Sequence, residues 1–247
     1  MLDKKIRRWR HVFKLDPNRM LSDLALEMIC KSDTDAIIIG GTDGITYENT
    51  QQLLDRVRKY PVFCVQEISK IDAVVPGFDG YLIPAVLNSG DTNWFLGAHH
   101  QALKAYGDFI PWNHVLLEGY LTCNPEAKVS RVTKANTDLT VDDCVAYVRL
   151  ADRLYRLPIF YIEYSGTFGD VEIVKAARSE VSSARLFYGG GLTTEEQVKT
   201  MAPHVDTIVV GNLIYFNAQR AVQTVAWVKK NQQRKKVKRS QVKKRQK

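Results

Sequence analysis

Lys14 and Asp16 stand two residues apart at the end of a short apolar run, His11 to Leu15, and set an ammonium beside a carboxylate. An ammonium neutralises phosphate as a point charge. A carboxylate oxygen suits Mg2+, which keeps waters and phosphate oxygens among its ligands. Thr42, just beyond a second such run, offers a hydroxyl to the same ion. Asp16 reads also as a turn cap ahead of Pro17. A further apolar run, Ile159 to Ile162, ends in Glu163. A carboxylate in that place is solvated, paired with an Arg or Lys, or a general base that takes a hydroxyl proton. Tyr161 and Tyr164 flank it as hydrogen-bond donors toward phosphate or alcohol oxygens, with core packing an equal reading for Tyr161.

Glycines follow several of these runs: Gly40-Gly41 ahead of Thr42-Asp43-Gly44, Ser165-Gly166, Gly189-Gly190-Gly191 and Gly211-Asn212. A glycine just ahead of a helix lets backbone N–H groups approach an anion unobstructed by a Cβ, in the favourable field of the helix dipole. The alternative is that they only turn the chain. The five histidines form no ligand motif, and His99-His100, adjacent on a predicted helix, cannot both face one ion. The four cysteines, Cys30, Cys64, Cys123 and Cys144, lie far apart within apolar stretches and read as reduced core residues.

The elements that must position these residues alternate along the chain. Eight strands are predicted at 11–15, 35–39, 62–66, 80–83, 115–121, 159–163, 184–188 and 206–210, with helical periodicity at 21–31, 46–59, 93–106, 140–155, 170–181, 194–201 and 216–229. Only Ser69 to Asp79 separate the third and fourth strands, and Pro76-Gly77 interrupts a long helix there. The pattern predicts an α/β chain folded as one (β/α)8 TIM barrel with its third crossover reduced to a loop or single turn. An open doubly wound sheet would carry a glycine-rich turn after the first strand; here the triple glycine follows the seventh. In a barrel the loops after the strands form the active face, and phosphate often lies between the loops after strands seven and eight, where Gly191, Gly211 and Asn212 fall.

Taken together, HVFKLDP, DAIIIGGTDG, PGFDGYLIPAVLNS, FYIEYSG, LFYGGG and IVVGN resemble the bacterial heptaprenylglyceryl phosphate synthases, relatives of the archaeal geranylgeranylglyceryl phosphate synthases. The resemblance runs from about Trp9 to Val228. It implies Mg2+ dependence and transfer of a long polyprenyl group, from its diphosphate, to the 3-hydroxyl of sn-glycerol 1-phosphate. It implies substrate contacts from Lys14, the segment Tyr161, Ile162, Glu163, Tyr164, Ser165 and Gly166, and from Gly191, Gly211 and Asn212. Asp16 and Thr42 match its metal positions, Glu163 its base, and a homodimer is the implied assembly. A prenyl groove is expected along Tyr81 to Leu87 and the helix around Trp94, Ala98 and Ala102. For those two alanines, at i, i+4, a helix packing contact is an equal reading.

Charge divides the 247-residue chain unevenly. Residues 229–247 hold 11 of the 35 basic residues and no acidic one, leaving 24 basic against 27 acidic in the body. Residues 1–230 are expected to form the barrel domain, and 231–247 a basic tail disordered in isolation. No apolar run approaches the roughly 20 residues of a membrane span, so a cytoplasmic enzyme is expected, with the tail as a possible contact to anionic lipid at the inner membrane face. Two other readings compete. A phosphosugar isomerase or aldolase could use the same cradle, with Lys14 as its Schiff-base lysine. A nucleic-acid or lipid-surface module driven by the tail ranks last, because it leaves the strand-end residues unexplained, and no specific nucleic acid is expected as partner.

Overall fold

The computed structural model describes residues 1–245, with side chains as far as Asn231. Eight parallel strands close into a barrel in sequence order: β1 His11–Leu15, β2 Ala36–Ile39, β3 Cys64–Glu67, β4 Gly80–Val86, β5 Val115–Thr122, β6 Ile159–Glu163, β7 Arg185–Gly189 and β8 Thr207–Val210. Pairing of Phe13 with Val210 on one side and Ile37 on the other closes the ring. The helices are α1 Leu2–Ile6, α2 Asp23–Cys30, α3 Tyr47–Val57, α4 Gly97–Tyr106, α5 Lys128–Val132, α6 Val141–Val148, α7 Val171–Glu180, α8 Glu195–Met201, α9 Leu213–Phe216 and α10 Ala218–Arg245. The tail expected to be disordered, 231–247, lies from residue 232 onward outside the fully described residues.

Strand periodicity of two divides the apolar side chains into two cores. Outward residues such as Phe13, Ile37, Ile39, Phe160, Ile162, Tyr188 and Val210 pack under the helices. Inward residues such as Val12, Ile38, Val65, Leu82, Tyr120, Tyr161, Phe187 and Val209 fill the barrel, and Leu2, Ile6 and Trp9 join them as a plug. That plug, built by α1 and the Trp9 that follows it, carries no strand-like or long helical signal and is absent from the sequence reading. Each inward row ends in a residue of the active face: Val12 leads to Lys14, Ile38 to Gly40, Val65 to Glu67, Tyr161 to Glu163, Phe187 to Gly189 and Val209 to Gly211.

The third crossover is a single 3-10 turn, Ile71–Ala73, as its length and Pro76-Gly77 predict. The Gln66 side chain replaces the missing helix, donating to the Ala73 carbonyl at 2.6 Å and accepting from the Val75 N–H at 3.0 Å. The predicted helix 140–155 is split into α6 and a π-helical segment, Arg149–Leu154.

Candidate active site

Lys14 lines the cavity at the barrel mouth, and its Nζ lies 2.6 and 2.9 Å from the two carboxylate oxygens of Glu67. The two residues sit on β1 and β3, with β2 between them. The bridge is possible because the inward residue just beyond β2 is Gly40, where a Cβ would stand 2.8 Å from the Glu67 Cβ. Burial works against the Lys14 charge, but Glu67 and Glu163 outweigh it and hold its pKa above the ordinary lysine value. Glu67 is the clearest functional residue that sequence reasoning left without a role. Its signal was its place two residues beyond inward Val65.

Glu163 is 4% exposed at the carboxyl end of β6. Ser165 Oγ donates to its Oε1 at 2.6 Å, and the Tyr161 hydroxyl also donates to its carboxylate. Burial pushes the Glu163 pKa up, opposed by Lys14, Ser165 and Tyr161. Gly189 explains how these groups fit, since a Cβ there would lie 2.4 Å from the Tyr161 hydroxyl and 3.0 Å from Glu163 Oε2. Ser165 is held in turn by Asn124, whose Nδ2 donates to the Ser165 carbonyl at 2.6 Å. Beneath lies Glu118, fully buried, with no hydrogen-bond partner for either carboxylate oxygen among the described residues. Burial and neighbouring Glu67 push its pKa well above the usual carboxylate range.

A cavity of about 490 Å³ opens above this layer. It is lined by Lys14, Asp16, Thr42, Tyr161, Glu163, Ser165, Gly166, Gly191, Gly211 and Asn212, so ten of the sequence-predicted residues converge on one space. Ile162 and Tyr164 do not line it. Ile162 follows the strand alternation outward into the helix-facing core, and the Tyr164 ring packs 6.3 Å from that of Tyr188. Gly166 and Gly191 adopt positive φ, +89° and +48°, and a Cβ on Gly191 would lie 2.4 Å from the Phe168 nitrogen. The loops after β6 and β7 interlock there, which glycine alone permits. Asp16 meets the cavity beside Gly41, where a Cβ would lie 2.8 Å from Asp16 Oδ1. That oxygen accepts from the Asn18 N–H at 2.9 Å, so the turn-cap reading and a cavity-facing carboxylate hold together. Among the described residues no group of three or more His, Cys, Asp or Glu is arranged to hold a metal.

The expected groove helix behaves differently. α4 buries none of its residues, Ala98 is exposed, and neither Ala98 nor Ala102 lines the cavity. Trp94 packs against the inner core instead.

Fold and site together define a (β/α)8 barrel whose cavity is rimmed by glycine turns around a buried carboxylate. By its sequence the chain belongs to the PcrB family, whose model matches residues 4–229. It is 56% identical over 221 residues to the heptaprenylglyceryl phosphate synthase of Bacillus cereus (strain AH820), covering 90% of this chain and 96% of that protein. Identity to the enzyme of the same name from Bacillus thuringiensis (strain Al Hakam) is 55% with the same coverage. Among solved structures, (S)-3-O-geranylgeranylglyceryl phosphate synthase from Thermoplasma acidophilum, in complex with sn-glycerol-1-phosphate, superposes with a TM-score of 0.75. That match has 21% identity and covers 90% of this chain and 95% of that one. The wild-type enzyme from Thermoplasma volcanium gives 0.74 at 20% identity, covering 91% and 96%.

Proposed function

We infer that this chain is a prenyltransferase that joins a polyprenyl group, heptaprenyl by its relatives, to the 3-hydroxyl of sn-glycerol 1-phosphate, giving an ether lipid phosphate and diphosphate. The carrying observation is Glu163, a buried carboxylate tied to Ser165 and Tyr161 in the same cavity as the glycine turns of Gly191 and Gly211. Phosphate held by the backbone of those turns, with Lys14 nearby, would leave the glycerol hydroxyl facing Glu163. As the bond from the allylic carbon to the diphosphate oxygen breaks, the glycerol oxygen bonds that carbon and its proton passes to Glu163. A carboxylate pKa raised by burial strengthens it as that base. Lys14, gripped by Glu67 as an ammonium, is a poor nucleophile, which disfavours the Schiff-base alternative.

Mg2+ is proposed as the cofactor, with Asp16 and Thr42 as its protein ligands; bound, it would neutralise the diphosphate leaving group. Asp16 suits this because its carboxylate meets the cavity beside a glycine, and one carboxylate suffices where phosphate oxygens and water complete the shell. Chelation of divalent ions should stop transfer, and restored Mg2+ should recover it. A cytoplasmic homodimer is the proposed state; light scattering checks the assembly. Among the described residues no helix is long and apolar enough to cross a membrane.

Glu163→Gln tests the central step. The variant is expected to bind sn-glycerol 1-phosphate with near-normal affinity by calorimetry while losing about two to four orders of magnitude in turnover. Turnover within a few-fold of wild type would remove Glu163 as the base.

A further inference from the structure

Arg19 belongs to none of the motifs above, yet the fold holds it in place at the cavity wall. Its Nη1 donates to Asn212 Oδ1 at 2.7 Å, and its guanidinium carbon stands 3.7 Å from the centroid of the Tyr215 ring. Tyr215 is itself anchored: its hydroxyl accepts from the Asp16 N–H at 2.7 Å and donates to the Asp16 carbonyl at 3.3 Å. A planar cation stacked and tethered in this way has lost much of its rotamer freedom before any ligand arrives. The tether to Asn212 occupies one of the five N–H donors of the guanidinium.

Three cationic side chains line the cavity, and ion pairing distinguishes them. Lys14 is matched by Glu67 and Lys128 by Asp43. Arg19 forms no salt bridge among the described residues, with only the longer-range field of Asp16 opposing its charge, so it is the lining cation with no carboxylate in contact. Lys14 lies in the inner layer with Glu163, whereas Arg19 sits at the mouth beside Asp16 and near Phe216, which is 80% exposed. We propose that Arg19 binds the diphosphate group of the prenyl donor, a role that rests on the prenyl-transfer reading. The planar fork matches paired phosphate oxygens, and the negative charge that gathers on the leaving diphosphate then develops beside a fixed cation.

The test is calorimetric titration of inorganic diphosphate with Mg2+, and separately of sn-glycerol 1-phosphate, into wild type, Arg19→Gln and Arg19→Lys. Melting curves confirm that each variant is folded. Arg19→Gln should weaken diphosphate binding by about tenfold to a hundredfold and leave glycerol phosphate binding within about twofold. Arg19→Lys should fall between, because it keeps the charge and loses the fork. The KM for prenyl diphosphate should rise in parallel. Unchanged diphosphate affinity in Arg19→Gln overturns the proposal. Equal loss of both ligands also overturns it, and assigns Arg19 to supporting the Asn212 loop. Prenyl transfer by wild type, measured first, tests the parent reading by itself: an inactive wild type that still binds both phosphates sinks that reading and this proposal with it.

Discussion

Glu118 is the residue whose presence costs the fold most visibly. Its carboxyl is fully buried without a hydrogen-bond partner among the described residues, beside Glu67, Glu163 and a single ammonium, Lys14. Its folded pKa is raised, first by burial and then by Glu67, so the folded state holds a proton that the unfolded chain releases. The stabilisation linked to that proton is complete below the unfolded value of about 4.5 and is lost as pH rises toward the folded one, at up to about 1.4 kcal/mol per unit. Glu118→Gln should therefore flatten the decline of stability as pH rises above the unfolded value, read by urea denaturation. A variant with the same pH slope as wild type would contradict a raised pKa for buried Glu118. The Lys14–Glu67 pair has the opposite sense: removing one partner leaves a buried charge uncompensated, so each guards the other.

Asp152 shows how one side chain sets the geometry of an element. Within the π-helical segment Arg149–Leu154 its carboxylate accepts from the Ser182 N–H at 2.8 Å, the Ser183 N–H at 3.0 Å and the Ala184 N–H at 2.6 Å. The hydroxyls of Ser182 and Ser183 donate to it as well, at 2.6 and 2.7 Å. Burial opposes its ionisation, but those donors hold its pKa below the usual carboxylate range. The segment thereby fixes the entry to β7, the strand that ends in Gly189. Asp152→Ala should cost about 3 kcal/mol of stability, the loss of several hydrogen bonds to a charged group. Chemical denaturation measures it, and a cost below about 1 kcal/mol would show that water replaces the carboxylate readily. The same linkage works in the acid direction: the stability Asp152 confers is present above its unfolded pKa of about 3.9 and is lost as pH falls toward its folded one.

Over the whole molecule, the charge asymmetry makes a prediction that the barrel does not. If the basic end contacts anionic lipid, deleting 229–247 should reduce sedimentation with phosphatidylserine liposomes, each basic residue near the surface giving about 1 kcal/mol. Equal sedimentation of both forms would end that idea. Exposed Phe109 and Trp112, 83% and 61% accessible near α4, are apolar surface that the barrel itself does not cover. The strand sequence, the missing third helix and the glycine-rich ends of β2, β7 and β8 were legible in the chain, because period-two apolar runs and Pro or Gly breaks are local properties. So was the set of residues at the strand ends, Lys14, Asp16, Glu163, Gly191 and Gly211. Tertiary structure alone decided which of them meet. Barrel closure brings β1 and β3 within reach across the bare Gly40, pairing Lys14 with Glu67, and sets Arg19 against Tyr215 and Asn212, nearly two hundred residues on. The physical reason is that burial and long-range pairing depend on the strand register and the closure of the ring. A sequence window contains neither.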